Sequence, residues 1–128
     1  MAKRWKMVIY RDGNGYSPYL DWVSETLTDD QVRCLERVLH EHLFRYGNSK
    51  AKVKWLRDLN GGLYQLRVQG LNKWGAKEIL LRVYLHFFGD KEILFISGYD
   101  KAIDSSPNRQ QSEIISARKI LENWIENE

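Results

Sequence analysis

Cysteine is almost missing from this chain of 128 residues: Cys34 stands alone. No internal disulfide can form, which excludes a small disulfide-stapled secreted scaffold. Proline occurs only twice, and no Pro/Gly-rich linker, internal repeat or low-complexity tract interrupts the sequence. No apolar run approaches the roughly 18–20 residues a membrane span requires, so no membrane partner is expected. The first residues, MAKRWKMVIYRDG, are basic, but Met7–Tyr10 is too short an apolar stretch for a signal peptide, and the expected location is the cytoplasm. There is neither a Walker A loop nor a nucleophile elbow, so nothing points to a P-loop nucleotide hydrolase or an α/β-hydrolase.

What remains is the composition of an ordinary globular protein, 43% hydrophobic and 29% charged. The length suits one domain spanning residues 1–128, large enough to bury a core without metal or disulfide. The net charge of +3 is unevenly spread. Residues 50–82 carry eight basic side chains (Lys50, Lys52, Lys54, Arg57, Arg67, Lys73, Lys77 and Arg82) against Asp58 and Glu78. Such a surplus forms either a solvated basic surface or a face that steers and neutralises phosphates. Of the five tryptophans, Trp74 sits in a Gly-flanked basic loop and is the best candidate to stack on a base. The others read as core anchors.

The order of elements follows from capping and periodicity. Ser17-Pro18 and Ser106-Pro107 each place a capping hydroxyl before a proline whose φ already suits a helix. Trp5–Arg11 reads as a strand, and Ser17–Leu27 as a short helix. Thr28-Asp29-Asp30-Gln31 has the pattern of a capping box and opens a helix to Tyr46, with Gly47 as its stop. Val32, Leu35, Val38, Leu39 and Leu43 fall on one face of it. Four strand candidates follow, Val53–Leu59, Leu63–Gln69, Lys77–Phe88 and Glu92–Tyr99, with hairpin punctuation between them. Ser106–Glu126 is the last helix, with Ile114, Ala117, Leu121, Trp124 and Ile125 on one side. The layout predicts an α+β fold: an N-terminal strand and two helices, a four-stranded antiparallel meander in one sheet, and a C-terminal helix, with the helices on one face.

Alternation in the strands singles out a polar surface. Ile79, Leu81, Val83, Leu85 and Phe87 form one apolar face, while Leu80, Arg82, Tyr84, His86 and Phe88 form the other. In the preceding strand Tyr64, Leu66 and Val68 oppose Leu63, Gln65 and Arg67. Pairing of the two strands brings Arg67 and Arg82 onto one surface, with Tyr84 and His86 alongside. Converging guanidiniums can grip a phosphate and stabilise charge developing on it. A histidine and a tyrosine can move protons in the same site. That set suits RNA cleavage by the adjacent 2′-hydroxyl, with no cofactor and no metal required; the bland alternative is a solvated sheet face. His40 and His42, two apart on a helix, make a poor metal pair. Asp12-Gly13-Asn14 lacks the later ligands of a calcium loop and is a turn, and Cys34 reads as a buried structural thiol.

Gly62-Leu63-Tyr64-Gln65-Leu66-Arg67-Val68, followed by Leu81-Arg82-Val83-Tyr84, resembles the RelE/ParE superfamily of bacterial type II toxins, and most of all its phage-derived HigB-like branch. Ser17–Trp22, Gly98-Tyr99-Asp100-Lys101 and the Ser106–Ile125 helix extend the likeness over residues 5–125. The resemblance implies a ribosome-dependent mRNA endonuclease that inhibits translation, held in check by a helix-turn-helix antitoxin. It implies that Arg67 and Arg82 contact the scissile phosphate, and that Tyr84, Tyr99 and Lys101 approach the RNA. Many relatives carry two adjacent basic residues after the last strand; here Lys101 is followed by Ala102. His86 comes from periodicity alone. Two alternatives stand beside this one: a non-enzymatic toxin that binds DNA gyrase, as in the ParE branch, and an inactive prophage relic that binds only its antitoxin.

Overall fold

A computed structural model describes residues 3–50, 52–71, 75 and 78–127. Its elements run β1 (Lys6–Ile9), α1 (Pro18–Glu25), α2 (Asp29–Val38), a π-helical turn (Leu39–Leu43), α3 (Phe44–Tyr46), β2 (Leu56–Asp58), β3 (Tyr64–Leu71), β4 (Glu78–Phe88), β5 (Glu92–Asp100) and α4 (Pro107–Glu126). The fold is α+β.

The caps form as their residue types dictate. Ser17 Oγ accepts from Leu20 N, and Ser106 Oγ from Arg109 N at 3.2 Å. Thr28 and Gln31 exchange both bonds of the capping box. The long helix expected from Thr28 to Tyr46 is interrupted where Phe44 N reaches back five residues to Leu39 O, a π-turn that re-aims the last turn. It ends at Gly47, whose φ of 55° favours glycine and whose missing Cβ makes room for Trp5.

The sheet order is β1-β5-β4-β3-β2. Neighbouring strands are antiparallel except β1, which pairs with β5 in parallel, Lys6 opposite Glu92 through Ile9 opposite Phe95. The sheet is therefore five-stranded and mixed, where a four-stranded antiparallel one was expected, because β5 offers β1 an open edge. β2 is also shorter than expected, and its neighbour Trp55 bonds Arg67 N through its carbonyl.

Contrary to what the sequence pattern suggests, the helices do not share one face of the sheet. α1 and α2 cover one face, burying Tyr19, Trp22, Leu35 and Leu39 against Leu66, Val68, Leu81, Val83, Leu85, Ile93 and Phe95. α4 crosses the other face instead of joining them, and packs Ala117 and Leu121 with Leu63, Tyr84, Leu94, Ile96 and Tyr99. A sheet with two half-apolar faces needs a cover on each. Arg118 pins α4 in place, donating from its two terminal nitrogens to the carbonyls of Leu59 and Asn60, both at 3.0 Å. Ile125, expected on the buried side of α4, is 49% exposed.

One irregularity decides which side chains share the α4 face. Strict alternation along β5 would send Phe95, Ser97 and Tyr99 to the same side. The register opposite β4 skips a residue, Tyr84 pairing with Ser97 and Leu85 with Phe95, so Ile96 is a bulge. Phe95 consequently packs with α1, while Tyr99 turns to α4. Beyond the bulge Gly98 faces α1, where a Cβ would lie 2.3 Å from the Trp22 ring.

Candidate functional site

The α4 face of the central strands carries a block of polar groups inside an otherwise apolar layer. Arg67 of β3 stands directly opposite Arg82 of β4, and Arg82 directly opposite Tyr99 of β5. One row deeper, Tyr84 lies between Gln65 and Ser97. Side chains at opposed positions stand about 5 Å apart at their Cβ atoms, so these two rows form one contiguous cluster.

Arg82 is only 5% exposed. Its Nη1 donates to Leu81 O at 3.1 Å, and its Nε has no partner. The Nε of Arg67, the Oη of Tyr99, the Oγ of Ser97 and the Oε1 of Gln65 are also buried without one. Among the described residues no carboxylate pairs with either guanidinium; the ion pairs there are Lys3–Asp90, Arg33–Asp30 and Arg109–Glu113. Asp100, next to Tyr99 in sequence, is held on the far side, where Oδ2 accepts from Gln31 Nε2 at 2.7 Å and Oδ1 from Ala102 N at 2.9 Å. Burial and the neighbouring Arg67 charge both lower the Arg82 pKa. Two like charges side by side, with unmet donors, form a site poised for an anion.

The tyrosines are buried rather than presented. Tyr84 is 0% exposed, and its hydroxyl accepts from Gln65 Nε2 at 3.1 Å. Tyr99 is 1% exposed and lies parallel to Tyr84, ring centroids 6.4 Å apart. Burial pushes both phenols above their ordinary range. The solvated face weighed as the alternative for Arg82 and Tyr84 is therefore absent, because α4 lies over them.

His86 does not join the cluster. Four residues along β4 from Arg82, it is displaced by about 13 Å at the usual strand rise. Its Nδ1 donates to Gly62 O at 2.8 Å, fixing the tautomer, and its ring packs on Phe88 and Trp124. Lys101, by contrast, follows Tyr99 at the arginine end of the sheet, where its backbone N donates to Leu80 O. It is half-buried.

A cleft of about 560 Å³ opens beside the arginine row, lined by four basic residues, Lys50, Lys52, Arg57 and Arg67, and one carboxylate, Asp58, together with Tyr64 and Asn48. Lys50 Nζ sits 3.9 Å above the Tyr46 ring. Lys54 is exposed but does not line the cleft. Lys73, Trp74 and Lys77 lie outside the described residues.

Two side chains of this region escaped the sequence reading. Arg109, in the first turn of α4, stacks its guanidinium 5.1 Å from the Tyr99 centroid and pairs with Glu113 at 3.1 Å. Ser97 enters beside Tyr84. Nothing in the spacing of Arg109 connects it with a strand; its helix had to be placed first. His40 and His42 diverge as expected, onto Phe44 and Trp55, and Cys34 is buried. Among the described residues no helix is long and apolar enough to cross a membrane. No protein-family model matches the chain, and no curated protein is similar enough to it to show kinship.

Proposed function

We propose that this chain is a toxin of the RelE/ParE kind that cuts mRNA on the ribosome in the cytoplasm, restrained by a helix-turn-helix antitoxin. The observation that carries the reading is the opposed pair Arg67 and Arg82, buried in part and facing no carboxylate among the described residues. A structural ion pair would have supplied a counter-charge, so the pair is spare capacity for a phosphate. In the proposed reaction the ribose 2′-hydroxyl loses its proton to solvent and attacks the adjacent phosphorus, the bond to the 5′-oxygen breaks, and a 2′,3′-cyclic phosphate forms. Arg67, which lines the cleft, stabilises the charge on the equatorial oxygens, a contribution of roughly 10²–10³-fold for one well-placed donor, and the sealed Arg82 behind it adds its charge at longer range. Lys101, at the same end of the sheet, supplies the proton to the leaving oxygen; His86 stands too far along β4 to do so. Lys50, Lys52 and Arg57 hold the backbone of the message in the adjoining cleft.

The test is a map of new mRNA 5′ ends in bacteria after brief induction of the chain and of Arg67→Ala/Arg82→Ala, with growth followed in parallel. In-frame cuts in translated messages that vanish in the double variant are expected. Growth arrest without new ends would overturn cleavage and favour a protein target such as DNA gyrase. Neither arrest nor cuts would leave an inactive relic that binds only its antitoxin.

A further inference from the structure

Tyr99 cannot serve as an open platform for a base in this arrangement, since 1% of it is exposed. Its surroundings suggest a different task. Two guanidiniums flank it, Arg82 directly across the strand pair and Arg109 over the ring from α4, with Arg67 one strand further on. Against them stands one carboxylate, Glu113, which pairs with Arg109 and acts on both tyrosines. The three arginines differ in depth. Arg82 is sealed at 5% exposure, Arg67 is half-buried, and the Arg109 side chain is 40% exposed. A buried aromatic beneath a solvent-reaching guanidinium fixes that group's plane while leaving its donors free.

We infer that Arg109 is a third RNA-phosphate ligand, seated by Tyr99 as a positioning residue and held in reserve by Glu113. This rests on the RNA-cleavage reading above and adds to it a residue from a separate element. The phosphate bound by Arg109 neighbours the one held by Arg67, so the strand crosses the sheet from the Lys50–Arg57 cleft toward α4. When the RNA arrives, Arg109 exchanges the Glu113 carboxylate for a phosphodiester oxygen. No covalent step is involved.

The experiment is anisotropy of a short single-stranded RNA bearing 2′-O-methyl groups, which cannot be cut, titrated with the full chain over a salt series. Each lost phosphate contact on a single strand should reduce the slope of log affinity against log salt by about 0.7. Arg109→Ala is expected to lower the slope by that amount and weaken binding several-fold. Arg109→Lys is expected to keep the slope, and Glu113→Gln to tighten binding. Lys119→Ala, which removes an exposed cation elsewhere on α4, should bind as the parent does. Thermal melts confirm that each variant is folded; should Arg109→Ala melt too early, Arg109→Gln replaces it. An unchanged slope in Arg109→Ala alongside a reduced one in Arg67→Ala would overturn the role of Arg109 alone. Unchanged slopes in both variants would overturn the RNA reading itself.

Discussion

The face of the sheet under α1 and α2 and the face under α4 are made by the same strands, yet they are finished differently. On the first, the buried strand side chains are apolar except Asp100, whose two carboxylate oxygens both have partners, and rings interlock: Tyr19 meets Phe95 edge-on at 5.0 Å, and Trp5 meets Phe87 at 5.3 Å. On the second, apolar packing by Ala117 and Leu121 surrounds Gln65, Arg82, Ser97 and Tyr99, four residues that each keep a buried polar atom without a partner. The cost of desolvating such groups is about 1–3 kcal/mol apiece. A layer that gives up stability in one place and not in its mirror image is where a functional site is to be sought. The α1/α2 face is packed for stability, and the α4 face holds the polar cluster on which the proposed function rests.

That contrast can be broken at its strong side first. Phe95→Ala empties a fully buried position between Tyr19 and Phe44, and should cost about 3–5 kcal/mol in urea unfolding. Tyr84→Phe, on the α4 face, removes only the hydroxyl that Gln65 donates to, and should cost about 1 kcal/mol. Equal losses would mean that the two faces do not divide the work in this way.

The tyrosines sharpen it further. Burial raises the phenols of Tyr19, Tyr84 and Tyr99 above the ordinary value of 10.0. An acid whose pKa is higher in the folded state than in the unfolded one stabilises the fold fully below the unfolded value. That contribution is lost as the pH rises from about 10 toward the folded value, because only the unfolded chain can then ionise freely. Denaturant midpoints measured at rising alkaline pH should fall from about pH 10 upward, and less steeply in Tyr84→Phe.

The smallest effect has the opposite sign. Like charges directly across a strand pair cost roughly 0.2–1 kcal/mol, so Arg67→Gln should raise the melting temperature slightly while weakening RNA binding. A fall in stability instead would show that Arg67 is a structural residue with a partner of its own.

Much of this was legible in the chain. Alternation over Tyr64–Val68 and Ile79–Phe88 assigned both faces of β3 and β4 correctly, because side chains in a strand alternate whatever packs on them. Caps at Ser17, Thr28 and Ser106 were readable because their hydrogen bonds span three residues. The position of α4 was not, since its amphipathic face fits either side of a sheet, and an apolar stripe does not name its partner. His86 was placed on the right face, but its four-residue offset from Arg82, about 13 Å at the strand rise, sets it at the other end of that face.

Local sequence thus determined that Arg67 and Arg82 share a surface: both depend on strand alternation and on a hairpin register set over a few residues. Only the tertiary structure decided that Tyr99 joins them and that Arg109 and Glu113 arrive from above. The bulge at Ile96 exists only against β4, and α4 finds its seat only where Leu63, Tyr84 and Leu94 are already assembled. Contacts between residues far apart in the chain are chosen by packing, and packing has no short-range signature.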